Sequence, residues 1–344
     1  MTIYPSVTKS ADGRYHAPFS VLDLAPIVAG SNASDALRRS LDLAQHAEKW
    51  GYQRFWLAEH HNMAGVASSA TAVVIGHIAA GTSTIRVGSG GIMLPNHAPL
   101  MVAEQFGTLE SLFPGRIDLG LGRAPGSDQP AARAIRRGLT SSGQDFPALL
   151  GELRSYLDGT SIGVQAVPGR GLAIPIWLLG SSGFSAELAG RLGLPFAFAS
   201  HFSPEYVLPA LELYRTSFQP SLVLEKPHAM VAINVFAADT DEEARRLATS
   251  QQLQFLRLIR GGGGPLEPPV DSMDSIWPSE HERTIVEGQQ RFSAIGSPST
   301  IRAKLRELQE LTQADEWIAA GQIYEHAARL HSYELLAEVV REGF

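Results

Sequence analysis

Short apolar runs alternate with amphipathic stretches along this chain at a nearly constant interval. The first four runs begin near residues 19, 53, 85 and 117. Residues 19–27 read as a strand ended by Pro26 and Gly30. Ser34 suits the N-cap of the helix that follows; there Leu37, Leu41, Ala44 and Ala47 recur at helical spacing and Gly51 stops the run. The pattern then predicts a strand over 53–60, a buried helix over 69–81, a strand over 85–94 and a helix over 98–112. Pro114-Gly115 turns the chain into a fourth strand, 117–123. The second half repeats this more loosely. Strands fit 174–179, 195–199, 228–237 and 316–322, and helices fit 185–192, 204–217, 241–260 and 327–342. A further helix starts at Ser297-Pro298, with serine as N-cap and proline in the first turn, and buries Ile301, Leu305, Leu308 and Leu311.

Eight strands, each followed by a helix, predict an α/β fold: one (β/α)8 TIM-like barrel domain over residues 1–344. The rival is an open doubly wound sheet, which usually has fewer strands and a glycine-rich phosphate turn after the first one. Here the first strand is followed by Ala29-Gly30-Ser31-Asn32, without that fingerprint. Two segments break the repeat. One, about 124–143, is arginine-rich; the other, about 261–292, holds four consecutive glycines and Pro265, Pro268, Pro269 and Pro278. Long connections of this kind are usually lids or unstructured segments. Both follow strands, so both are expected as insertions at the catalytic face, walling a pocket. For the second, an insertion without function is an equal alternative.

Composition narrows the function. The chain is 44% hydrophobic and 18% charged, enough to bury a large core. Its net charge of −7 lacks the basic face of a nucleic-acid binder; Arg133, Arg136 and Arg137 are the one evident basic cluster. There is no cysteine, which excludes disulfides, thiolate nucleophiles and cysteine-ligated metal centres. The first 17 residues lack the apolar core of a leader, and no apolar run is long enough to cross a bilayer, so a cytoplasmic protein without membrane contact is expected.

Candidate chemistry collects just beyond the predicted strand ends, where parallel-sheet proteins keep their sites. The second strand ends in Glu59-His60-His61. Neighbouring strand residues point to opposite faces, so these two histidines do not share one metal ion while the strand continues. A hydrogen-bonded core histidine beside an exposed one is an even alternative to catalysis. In the third strand, Gly90-Gly91 invites close approach of a flat ring or an unusual peptide geometry, with a bulge as the simpler reading; His97 follows. The fourth strand ends in Gly120-Leu121-Gly122-Arg123, where a guanidinium suits a phosphate or carboxylate, or a surface ion pair. The fifth leads through Gly180-Ser181-Ser182-Gly183-Phe184-Ser185 into a helix. Serine hydroxyls and free helix N-terminal amides there could cradle a phosphate, or Ser182 could simply cap. No nucleophile elbow, Walker-type loop or His-Glu-x-x-His is present, which favours a cofactor that brings its own reactivity.

With Gly51 to His61, Gly88 to Pro95, Pro114 to Arg123, the Gly180-Ser181-Ser182 turn and the Ser297-Pro298 helix start, the chain resembles the bacterial luciferase-like flavin monooxygenases, in particular their single-chain members. The resemblance spans about residues 18–325. It implies a TIM-like barrel that binds reduced FMN at the strand C-termini. Arg123 would grip the FMN phosphate, with Gly180, Ser181, Ser182 and Ser185 around it. Gly90-Gly91 would lie against the isoalloxazine, where the family often has a non-proline cis peptide. His60 matches the histidine assigned as acid/base in the light-emitting members, with His61 and His97 nearby. The implied reaction uses reduced FMN and O2 to oxygenate a small organic substrate through a flavin C4a-hydroperoxide. A separate flavin reductase and a homodimer, formed through helices near the second and third strands, are implied as well. Gly122 stands where the luciferase catalytic subunit has a cysteine, so light emission and long-chain aldehyde specificity are not implied. Relatives on the same barrel include deazaflavin (F420)-dependent hydride-transfer enzymes and non-catalytic flavin-binding proteins, which stay open as alternatives.

Overall fold

The computed structural model describes residues 3–124, 129–135, 145–274, 276–277 and 279–344. Eight parallel strands close on themselves: β1 (Phe19–Asp23), β2 (Arg54–Leu57), β3 (Arg86–Ser89), β4 (Ile117–Gly122), β5 (Ile176–Gly180), β6 (Phe196–Phe198), β7 (Ala229–Ala237) and β8 (Glu316–Ala320). Pairing passes from strand to strand around the whole ring. Val21 pairs with Phe55, Phe55 with Val87 and Val87 with Ile117. Leu119 pairs with Ile176, Leu178 with Phe196 and Phe196 with Ala229. Val231 then pairs with Trp317, and Trp317 with Phe19. The expected TIM-like barrel is therefore what forms.

Alternation along the strands explains the two layers of packing. Val21, Phe55, Leu57, Val87, Leu119 and Leu178 face outward onto the helices. Leu22, Trp56, Trp177, Met230 and Ile318 fill the barrel interior, followed one step on by Ala58, Ala232 and Ala320. Leu24 and Leu179 pack at the same level as these alanines, toward the strand C-termini.

The other end is plugged by a buried ionic cluster. Arg54, at the start of β2, donates to Glu316 Oε1 (2.9 Å) and Asp118 Oδ2 (2.8 Å) and lies 4.8 Å from the Trp177 ring centroid. Trp56 Nε1 and the Arg86 guanidinium also donate to Asp118, and the Ser20 hydroxyl to Glu316. Tyr4 covers this end against Trp177 and His228. Arg54, Asp118 and Glu316 Oε1 are paired and hydrogen-bonded, as ionic groups buried this deeply require, and His228 Nε2 lies 3.6 Å from Glu316 Oε2.

Helices α1 (Ala33–Trp50), α2 (Thr71–Ala80), α3 (Pro99–Leu112), α4 (Phe146–Asp158), α5 (Gly183–Leu192), α6 (Val207–Ser217), α7 (Asp241–Ile259), α8 (Glu280–Gln289), α9 (Pro298–Thr312) and α10 (His326–Glu342) follow in chain order. Asn32, and not Ser34, caps α1: its Oδ1 accepts the Asp35 amide at 3.0 Å, because the helix starts two residues earlier than the apolar pattern suggests. The first predicted insertion lies largely outside the described residues; its described part includes a short helix, Gln129–Ile135. The second is built. It crosses to the end of β1, where Leu266 bridges Val28, forms α8, and returns as a strand, Ser293–Gly296, parallel to the outer half of β7. Among the described residues no helix is long and apolar enough to cross a membrane.

Candidate active site at the barrel mouth

The ladder between β3 and β4 breaks at Ser89-Gly90-Gly91 and resumes where Ile92 and Met93 pair with Leu121 and Gly122. The Gly90–Gly91 peptide is cis. Glycine is required on both strands here. A Cβ on Gly91 would sit 2.8 Å from the Gly120 carbonyl oxygen, and one on Gly120 only 2.1 Å from that of Ser89. The Ser89 hydroxyl fills in for the missing ladder, donating to the Gly120 carbonyl (2.8 Å) and accepting the Gly120 amide (3.0 Å).

Glu59 is the hub beside this break. It is 1% exposed, yet its carboxylate accepts from His61 Nε2 (2.9 Å), from His97 Nε2 (2.9 and 3.0 Å) and from the Met93 amide (3.1 Å). Burial pushes its pKa up, but the His97 and His61 imidazoles and the Met93 amide outweigh that and hold it below the usual carboxylate value. His61 and His97 therefore face a common carboxylate, which orients both rings. His60 is half-buried and lies three residues beyond the end of β2.

Across the ring, sequence reasoning missed His201. It lies three residues beyond β6, the strand opposite β2 in the closed barrel. Burial, and the charge of His60, push its imidazole down to about 4. Its backbone is held on two sides. Gln289 of α8 donates to the His201 carbonyl (2.8 Å) and to that of Phe202 (2.9 Å), and Asn234 of β7 donates to His201 at 3.4 Å. The signal was available: a histidine just past a predicted strand end is the criterion that singled out His60.

The β4 and β5 corners meet as expected. The Arg123 guanidinium lies 4.4 Å from the ring centroid of Phe184, within the serine turn. Ser182 occupies the N-cap position of α5 without a side-chain cap bond, so simple capping does not account for it. The first-turn amides of α5 lack intrahelical partners and carry the positive end of its dipole. Ser185 is turned inward: it is 3% exposed and packs on Gly180, where a Cβ would lie 2.7 Å from its own. Guanidinium, hydroxyls and amides gathered at one corner fit a phosphate-bearing cofactor.

Comparison with known proteins gives the same direction. A family model described as luciferase-like monooxygenase matches residues 17–315. A luciferase-like monooxygenase of Escherichia coli strain K12 is 54% identical over 94% of this chain and 97% of its own length. An N-acetyl-S-alkylcysteine monooxygenase of Bacillus subtilis is 38% identical over 93% and 97%. The crystal structure of apo-MsnO8 superposes with a TM-score of 0.88 at 36% identity, covering 95% of this chain and 99% of that one. The oxygenating constituent of 3,6-diketocamphane monooxygenase from Pseudomonas putida, solved in complex with FMN, shares the fold. Its TM-score is 0.72 at 19% identity, over 96% and 99% of the two chains.

Proposed function

Because the chain belongs to the luciferase-like monooxygenases, a family of flavin-dependent oxidoreductases, we propose that it oxygenates a small organic substrate with O2 and reduced FMN. The observation that carries this reading is the Arg123–Phe184 contact, which joins a guanidinium to the serine turn beside the mouth. Arg123, Ser181 and Ser182, with the α5 amides, would hold the FMN phosphate; Ser185 supports the turn from behind through Gly180. The backbone at Gly90-Gly91 would border the ring. The flavin supplies the electrons that activate oxygen.

The chain's own residues do the rest. His60 holds or delivers one proton at the reacting centre, a role suited to an imidazole near neutral pH. Glu59 keeps His61 and His97 oriented beside it. The insertion that runs past β1 and over His201 excludes water, which would otherwise waste the activated oxygen. In this reading a separate flavin reductase delivers reduced FMN in the cytoplasm, with no nucleic-acid or membrane partner. A homodimer through α2 and α3 is part of the proposal: Val73 is 73% exposed, Met101 57% and Leu112 64%. An α-helix as apolar all round as α2 is normally covered on every face.

Flavin titration tests the reading. Arg123→Ala should weaken FMN binding by about 1.5–3 kcal/mol, the worth of a hydrogen bond to a charged group. An unchanged binding curve rejects the phosphate role. The same titration with a deazaflavin separates hydride transfer from oxygenation: preference for the deazaflavin would overturn the FMN assignment.

A further inference from the structure

We propose that Glu59 is a positioning residue that decides which nitrogen of His61 and of His97 carries the proton. It claims the Nε2 hydrogen of each ring. Each neutral imidazole then presents an Nδ1 lone pair, at this end of the barrel, to a ligand that brings an O–H or N–H group.

Hydrogen-bond counting carries the first step. An ionised carboxylate only accepts. Glu59 is kept in that form, because its donors outweigh the cost of burial. It receives His61 Nε2 at 2.9 Å, His97 Nε2 at 2.9 and 3.0 Å, and the Met93 amide at 3.1 Å. Both Nε2 atoms must therefore carry a hydrogen. A neutral imidazole has only one, so Nδ1 is left as an acceptor in both rings.

Exposure carries the second step. Glu59 is 1% exposed, whereas the side chains of His61 and His97 are 20% and 28% exposed. Among the described residues neither Nδ1 has a hydrogen-bond partner, and neither is shut off from solvent. Each ring stands four residues beyond a strand end, at Leu57 and at Met93. The two lone pairs are therefore open where the strands end, and the hydrogens are turned away onto the carboxylate.

Such a pair accepts a proton and does not supply one. When a ligand O–H or N–H transfers its proton, that bond breaks, an Nδ1–H bond forms, and the ligand keeps the electron pair as its conjugate base. The resulting imidazolium rests against Glu59, whose negative charge balances it. The same carboxylate behind the ring makes the imidazole a better acceptor before any transfer.

The test uses the full chain without FMN, so its outcome is independent of the flavin reading. In 15N-histidine-labelled protein at about pH 8, above the ordinary imidazole value near 6.5, ring-nitrogen shifts report the tautomers. His61 and His97 of the parent should both be Nε2–H. Glu59→Gln keeps one oxygen, with the Met93 amide and His97, and turns its NH2 to His61. His61 should then switch to the Nδ1–H tautomer while His97 keeps its own; a carboxylate that only supported the fold would leave both tautomers as they were. Diethyl pyrocarbonate, which acylates an open imidazole lone pair, gives a second readout by peptide mass spectrometry. Both rings should react in the parent. In Glu59→Gln the His61 reaction should slow about tenfold, as one hydrogen bond of ordinary net worth biases a tautomer. Three results overturn the inference: an Nδ1–H or doubly protonated ring at either position in the parent, rings that resist the reagent while the exposed His281 reacts, or an unchanged His61 tautomer in Glu59→Gln. Should that variant fail to fold, the two parent measurements decide alone.

Discussion

Replacing Glu59 by glutamine tests the hub most directly. The carboxylate offers two oxygens to three N–H groups, from His61, His97 and the Met93 amide. Glutamine keeps one oxygen and puts an NH2 in place of the other. The Met93 amide is always a donor, so the remaining oxygen must turn to it at the Oε2 position. The NH2 then faces His61, whose Nε2 must become an acceptor by a tautomer change, while His97 Nε2 keeps the retained oxygen at 3.0 Å. At least one charge-assisted hydrogen bond is lost, worth about 1.5–3 kcal/mol. Glu59→Ala leaves all three donors without the carboxylate, at about 3–5 kcal/mol, as for a broken buried pair. Urea unfolding at pH 7 measures both. The sign with pH follows from the lowered Glu59 pKa. Its contribution is present above the unfolded carboxylate value, near 4.3, and is lost as pH falls through the folded one. The gap between parent and Glu59→Gln should thus hold from about pH 7 to pH 5 and narrow below about 4.3. A variant as stable as the parent at pH 7, or a gap unchanged into the acid range, would refute this account of the hub.

Three further outcomes are expected. Arg54→Ala leaves Asp118 and Glu316 buried without their shared cation and should cost about 3–5 kcal/mol in the same unfolding assay, whereas a loss under about 1 kcal/mol would mean the cluster relaxes freely. His60→Ala should bind FMN like the parent while product formed per reduced FMN collapses; turnover at the parental rate would remove His60 from the chemistry. Val73→Asp should shift the protein from dimer to monomer in analytical ultracentrifugation with FMN affinity retained, and an unchanged sedimentation coefficient would place the contact elsewhere.

The barrel was legible because strands buried on both faces read as unbroken apolar runs, and glycine or proline punctuates their ends. Missed elements had weaker or overlooked signals. Helix α4 carries Phe146, Leu150, Leu153 and Leu157 at helical spacing, a stripe that was open to reading. The strand Ser293–Gly296 has no such signature; only its pairing with β7 defines it. At the site, His60, His61, His97, Arg123 and the serine turn all stood beyond strand ends as expected. Their grouping did not show. Glu59 meets partners two, thirty-four and thirty-eight residues away, a convergence that barrel closure creates and no local spacing encodes. Ser185 looked equivalent to Ser181 and Ser182, yet the helical turn rotates it inward.

The long insertion is rooted at both ends. It departs at the end of α7 and re-enters through the ladder between Ser293–Gly296 and β7, while Asp241 accepts hydrogen bonds from the Ser297 amide (2.6 Å) and the Thr300 hydroxyl (2.9 and 3.1 Å). The returning root is thus tied to the start of α7 as well as to the barrel. Much of what lies between the two ends is free to vary in length and side chains, whereas Gln289, which holds the His201 carbonyl, and Leu266, which bridges Val28, tie the segment to the frame. Selectivity for one molecule over another can then evolve in about thirty residues, while the oxidising machinery beneath stays as it was.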